Sequence, residues 1–318
     1  MPLLDVIHDT VHPVGDDPAW SESWYFNAYD PAADAGFVCR IGLKPHEHAA
    51  HGFLLTWNPG GGFSWIEERA TLETMPSERI AIGGMSFEAL EPGKRWRLSM
   101  RGRDGEGHEL ELGGTFEASM APVGVDRSGS DFAQAKGAST GALASGHFEQ
   151  SGRVVGTLVV DGAPTAIQAR GIRDKSWGPR RTDGSRGLRG WRWFSIVMGN
   201  DFQLGGIRVF ATEGELHRGW IRRGAEITTV RHFGVRTTLA DDGFTHRGLV
   251  LEVTDKHGGT IRLDGEILRV ATVGIGEDDG MTILEGLARF TGAGRQGYGI
   301  AEYAHLLGGD GRPVVAID

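Results

Sequence analysis

"GWRWFSIVMGNDFQLGGIRVFAT", residues 190–212, holds two strand-length apolar runs separated by Gly199, Asn200 and Asp201. Each run alternates between two faces, favours aromatic and β-branched residues and stops at a turn signal, which is the pattern of neighbouring antiparallel strands. The same style recurs outward in both directions. GFVCRIGL, GFLLTWN, RIAIGGMSFEAL, RWRLSMRG, HELELGGTFEA and VVGTLVVDG precede it, and ITTVRHFGV, GLVLEVTDKHGG, TIRLDGEILRVATV, MTILEGLARFTG and GYGIAEYAHLL follow. Helix-forming runs are scarce, and the 51 glycines of 318 residues are about twice the usual share. The expected fold is all-β, built of antiparallel meanders with strands enough for two barrels or half-barrels packed together.

Length leaves one or two domains open. Residues 123–146, VGVDRSGSDFAQAKGASTGALASG, are poor in large apolar side chains and cannot bury enough surface to offset their ordering entropy. The expected division is therefore an N-terminal β domain over 1–122, a linker or lid over 123–146 and a C-terminal β domain over 147–318. Composition narrows the function. A formal net charge of −9 argues against binding nucleic acid phosphates, and Cys39 alone excludes an internal disulfide or a cysteine-rich zinc site. No apolar run approaches the roughly 20 residues that span a bilayer. MPLLDVIHDTVHPVGDD lacks the basic and apolar regions of a secretory signal, so the expected location is cytoplasmic. Oligomeric state leaves no mark in the sequence.

Two stretches imitate sites. His46, His48 and His51 in PHEHAAH suggest a metal, but a strand would turn His51 away from the other two, so the reading is a solvated loop and no metal. WNPGGGF, residues 57–63, lacks the ending of a phosphate loop and reads as a hairpin turn.

Other stretches carry chemistry. In WSESWYFNAYD an extended chain puts Trp20, Glu22 and Trp24 on one face, either as an aromatic plug or as a ligand wall with Glu22 and Trp24 toward substrate. In ARGIRDKSWGPRR, residues 169–181, Asp174 and Ser176 share one face and Arg173, Lys175 and Trp177 the other. If the Arg/Lys face is outside, Asp174 is inside, and a desolvated carboxylic acid is the usual form of a general acid. The alternative is that Asp174 ties down a turn or pairs with Arg180 or Arg181. Trp191 and Trp193 make a flat apolar wall suited to a hydrophobic ligand or to a developing cation, or else they pack in the core. Near the C-terminus Glu285 shares a face with Arg289, and Tyr298 shares one with Glu302 beside glycines that permit close approach.

HFEQSGRVVG, GIRDKSWGPR, WRWF, EGLARF and GYGIAEY together resemble the AttH-like and carotenoid 1,2-hydratase-related superfamily, also called hydroxyneurosporene synthase-like. The resemblance runs over nearly the whole chain and implies two lipocalin-like β-barrels. Members hydrate an isolated alkene or guide cyclisation in natural-product pathways. Arg173, Asp174, Ser176, Trp177 and Gly178 carry the motif, with Lys175 where relatives often have His. The leading expectation is a cofactor-independent acid–base enzyme for an isoprenoid, steroid or polyketide-like molecule. Asp174, or failing it Glu302, would donate the proton, Trp177, Trp191 and Trp193 would stabilise the cation, and Tyr298 would hold water. The alternatives are a lipocalin-type carrier and a pericyclase acting by shape. A filled barrel interior would favour a protein without a ligand.

Overall fold

The computed structural model describes residues 3–126, 145–181, 187–274 and 281–318. Alternation becomes sidedness throughout. In RWRLSMRGR the buried positions are Trp96, Leu98 and Met100, with Arg95, Arg97, Ser99 and Arg101 alternating outward.

The first sheet comprises β1 (Trp20–Asp30), β2 (Ala35–Lys44), β3 (Ala49–Trp57), β4 (Phe63–Thr71), β5 (Arg79–Ile82), β6 (Met85–Glu91), β7 (Arg95–Arg103), β8 (Glu109–Ala118), β9 (Val123–Asp126), β10 (Gly146–Val160) and β11 (Ala163–Pro179). Their order is β4-β3-β2-β1-β11-β10-β8-β7-β6-β5, with β9 also on β10, and the sheet curls into a nearly closed barrel. Trp57 pairs with Phe63, so WNPGGGF is the expected hairpin turn.

The second sheet is a closed eight-stranded barrel in chain order: β12 (Leu188–Val197), β13 (Phe202–Ala211), β14 (Gly214–Arg223), β15 (Glu226–Leu239), β16 (His246–Asp255), β17 (Thr260–Gly274), β18 (Met281–Gly292) and β19 (Arg295–Leu306). Here the opening hairpin is β12–β13.

The division of the chain differs from the expected one. The two compact units are residues 3–126 with 145–180, and residues 181–318. The strands β10 and β11, expected to open the second domain, instead fill the centre of the first sheet between β8 and β1, so the RDxSWG motif belongs to the first unit. Residues 123–126 of the expected linker form β9, and 127–144 lie outside the described residues.

Both interiors are packed with side chains. Trp24, Phe26, Phe37, Phe87, Trp96 and Phe116 lead the first core. Phe194, Phe202, Phe233, Leu251, Phe290 and Tyr303 lead the second. Among the described residues no helix is long and apolar enough to cross a membrane.

Candidate functional site

Register decides which face of RDKSW meets the core. Phe26 lies opposite Arg173, Trp24 opposite Lys175 and Glu22 opposite Trp177, and Phe26 and Trp24 belong to the first core. The Arg/Lys face is therefore the interior one, the reverse of the condition on which an interior Asp174 rested. Two buried cations there need partners, and the chain before β1 supplies them. Asp9 accepts from both terminal nitrogens of Arg173 at 2.7 and 2.9 Å, from the Trp96 indole at 3.0 Å and from the Gly93 N–H at 2.5 Å. Burial alone would raise the Asp9 carboxyl; the Arg173 charge and these hydrogen bonds hold it below its ordinary value. The Arg173 Nε donates to Gln150 at 2.8 Å.

Lys175 donates to the carbonyls of His8 and Thr10 at 2.8 and 2.6 Å and pairs with Glu22 at 2.7 Å. His12 also contacts Glu22, and Trp177 stacks on His12 and His8 with ring centroids 4.2 and 5.1 Å away. Glu22 thus pairs with Lys175 and His12, and Lys175 Nζ lies 5.1 Å from the Trp24 ring centroid. Trp177, Glu22 and Trp24, considered above as substrate contacts, and Arg173, expected from the sequence as a further one, are all buried.

The opposite face of the same strands carries a different cluster. His147 lies opposite Ser176 and Glu149 opposite Asp174 across β10 and β11. On the other side Ser23 faces Ser176 and Tyr25 faces Asp174, with Arg40 next to Tyr25 on β2. The His147 ring spans this group, with Nδ1 3.2 Å from the Ser176 hydroxyl and Nε2 3.4 Å from Glu149. Glu149 is 2% exposed, whereas the His147 side chain keeps 29% of its surface, and Asp174 is likewise only partly buried.

The titratable pair is electrostatically coupled. Burial pushes the Asp174 carboxyl above its ordinary value; Glu149 adds to this, and His147, Arg180 and Arg40 act against it. Burial alone would lower the His147 imidazolium, but the Glu149 hydrogen bond and the Asp174 and Glu149 charges raise it. With Nε2 committed to Glu149, Nδ1 is the nitrogen that gains or loses a proton. The arrangement therefore sets a carboxyl and an imidazole, both with raised pKa and both partly exposed, on one face of adjacent strands.

Neither His147 nor Glu149 was singled out from the sequence. Their i, i+2 spacing in HFEQ placed them on one face, but nothing local joined that face to Asp174.

The remaining candidates lie in the second unit. Trp191, Trp193, Glu302, Glu285 and Tyr298 share the outer face of β12, β18 and β19, where Trp191 donates its indole N–H to Glu302, and Glu302 lies opposite both Trp193 and Glu285. Glu302 and Tyr298 are thus on the outside of the closed barrel. Arg289, on the same face as Glu285, is bonded to Glu266 and Tyr298. In PHEHAAH, His46 reaches the Gly15 carbonyl at 2.7 Å, His48 caps a short turn with φ of 50°, and His51 meets Glu67 at 3.3 Å. Among the described residues no group of three His, Cys, Asp or Glu side chains is placed to hold a metal ion.

Two antiparallel sheets, one a nearly closed barrel and the other closed, each with a packed interior, define a chain of two lipocalin-like barrels. The chain belongs to the family described as Domain of unknown function (DUF7064), whose model matches residues 5–306. Among solved structures it is similar to a protein described as a candidate AttH from Nitrosomonas europaea, with a TM-score of 0.67, 14% identity and coverage of 93% of this chain and 100% of that one. It is similar to kievitone hydratase from Nectria haematococca, with a TM-score of 0.63, 14% identity and coverage of 96% and 93%. CghA crystallised with Sch210972 gives a TM-score of 0.58, 12% identity and coverage of 91% and 89%. At these identities the likeness establishes an AttH-like fold. No curated protein matches the sequence.

Proposed function

We propose that the protein is a cofactor-independent acid–base enzyme acting on a hydrophobic small molecule of isoprenoid, steroid or polyketide type, by alkene hydration, dehydration or isomerisation. One observation carries the reading: Asp174 and His147 sit side by side on adjacent strands, both holding their protons to higher pH than usual and both partly accessible. Asp174 donates the proton to carbon: burial raises its pKa and so favours the protonated form that a general acid needs. His147, oriented by Glu149, exchanges a proton through Nδ1 with water or a substrate hydroxyl beside Ser176. Arg40 and Arg180, which act on Asp174 electrostatically, favour its ionised form after transfer.

The fold supports the reading through its likeness to a protein named as a hydratase. The packed cores, the feature expected of a protein without a ligand, weigh against a ligand held deep in either barrel and support a site on an outer face of the strands.

The test is organic extraction and native mass spectrometry of protein purified from its own host, followed by incubation of the extracted compound with wild type and with Asp174→Asn. Conversion by wild type, slowed about 10²–10⁴-fold in the variant, is the expected result. Equal conversion by both would assign catalysis to shape alone, and a bound compound that neither alters would mark a carrier; each would overturn the acid–base reading.

A further inference from the structure

Inside the second barrel, at the β12 and β19 end, a guanidinium is buried without a counter-ion on one of its edges. Arg192 is 1% exposed. Its Nη1 donates to the Trp191 carbonyl at 3.0 Å and lies 3.5 Å from the Ala304 carbonyl, and its plane lies 4.3 Å from the Tyr303 ring centroid and 5.1 Å from that of Phe210. Nε and Nη2 have no hydrogen-bond partner. Leaving two charged donors dry is among the costliest arrangements an interior can hold.

The unoccupied edge has a specific shape. Nε and Nη2 are the two parallel donors that match the two oxygens of a carboxylate. Elsewhere in this chain the same edge is used in that way by Arg208 on Glu215 at 2.8 and 3.1 Å, and Arg153 brings both atoms to one oxygen of Glu117 at 2.9 and 2.6 Å. Arg289 presents the same two atoms to Glu266.

The surroundings add further unused polar atoms. His305 Nε2 and His246 Nδ1, both buried, also lack partners. The His246 ring stacks on Tyr303 with centroids 4.2 Å apart, and His305 meets Tyr303 edge-on at 6.3 Å. The neighbouring charges are already spoken for, because Arg208, opposite Arg192 on β13, is paired with Glu215 and with Asp318 at 2.6 Å. The Tyr303 hydroxyl is bonded to Thr237 at 2.8 Å. Phe194, Ile196 and Leu204 belong to the packed core of the same barrel.

We propose that this end of the second barrel is a binding site for a small carboxylate, held side-on by Nε and Nη2 of Arg192 with His305 as a third contact. The site is independent of the Asp174 cluster, which lies in the other unit.

The test uses the whole protein. Because a ligand that binds only the folded state stabilises it with the logarithm of its concentration above the dissociation constant, formate replacing a bulky sulfonate at constant ionic strength is expected to raise the melting temperature of wild type. Arg192→Met and His305→Phe are expected to flatten that response. Octanoate in a parallel series separates the sources: a response to formate alone marks a free small acid, and an Arg192-dependent response to octanoate marks the head of a chain-bearing one. Should the variants not fold, crystals of wild type soaked in bromide decide by anomalous scattering, with a peak expected within about 3.5 Å of both nitrogens. Water on that edge with no anomalous peak, or a formate response identical in all three proteins, would overturn the proposal.

Discussion

The pKa values of Asp174 and His147 are both raised, by different causes, and the difference can be measured. For Asp174 the cause is burial, which destabilises the folded state whenever the carboxyl is ionised. Its folded pKa lies above the ordinary 3.8, so the folded protein binds the extra proton and stability falls as pH rises from 3.8 through the folded pKa. Asp174→Asn is therefore expected to be more stable than wild type at pH 7 in urea denaturation, with the gain vanishing below about pH 3.8. An activity loss that accompanied lower stability would instead mark Asp174 as a structural residue. For His147 the raising causes are the Glu149 hydrogen bond and the Asp174 and Glu149 charges, and the slope has the same sign in a higher window: stability from the raised imidazolium is fully present below the ordinary 6.5 and is lost as pH rises through the folded value. Glu149→Gln should lower the His147 midpoint in an NMR titration and remove this pH dependence; an unmoved midpoint would show that Asp174 alone sets it. The sequence made Asp174 visible through RDxSWG, whereas His147 and Glu149 are joined to it only by the pairing of residues 29 and 25 positions apart (176 − 147 and 174 − 149), a register no local pattern encodes.

The strand β11 is where local pattern and tertiary structure part company. Its period-2 character was legible, as was the grouping of Arg173, Lys175 and Trp177 against Asp174 and Ser176. Which group faces the core was not, because both carry charge and the usual rule sends charge to water. What reverses the rule is the segment before β1, whose Asp9 and carbonyl groups neutralise and solvate the two cations from more than 160 residues away. Gly171 on the same strand shows how tightly the pair with β1 is drawn: a Cβ there would lie 1.8 Å from the Asn27 carbonyl oxygen. The ion pair should behave as a buried unit. Asp9→Asn is expected to cost about 3–5 kcal/mol in urea denaturation, because it leaves the Arg173 charge uncompensated. The double variant Asp9→Leu with Arg173→Met should recover much of that loss. A cost below about 1 kcal/mol for Asp9→Asn would mean that the segment before β1 does not fasten the sheet.

At the scale of the whole molecule the Gly/Ser/Ala-rich stretch at 123–146 looked like a border because borders are usually poor in apolar residues. The chain instead comes back to the sheet it left: β10 pairs with both β9 and β8, and β11 closes the gap to β1. The change of unit falls after Arg180, in a stretch of sequence that carries turn residues but no long compositional shift. This placement dictates how pieces of the chain should fold. Residues 181–318 contain all eight strands of a closed barrel with no unpaired edge, so that fragment is expected to be soluble and to unfold cooperatively. Residues 147–318 add β10 and β11 without the strands that flank them, exposing Phe148, Arg173 and Trp177, and are expected to aggregate. Residues 1–126 leave the facing edges of β1 and β8 bare and should not fold, whereas residues 1–181 restore both central strands. Far-UV circular dichroism and urea titration of the four fragments decide the matter. A cooperative 147–318 beside a disordered 181–318 would return the border to the glycine-rich stretch, and the acid–base cluster with it to the second unit.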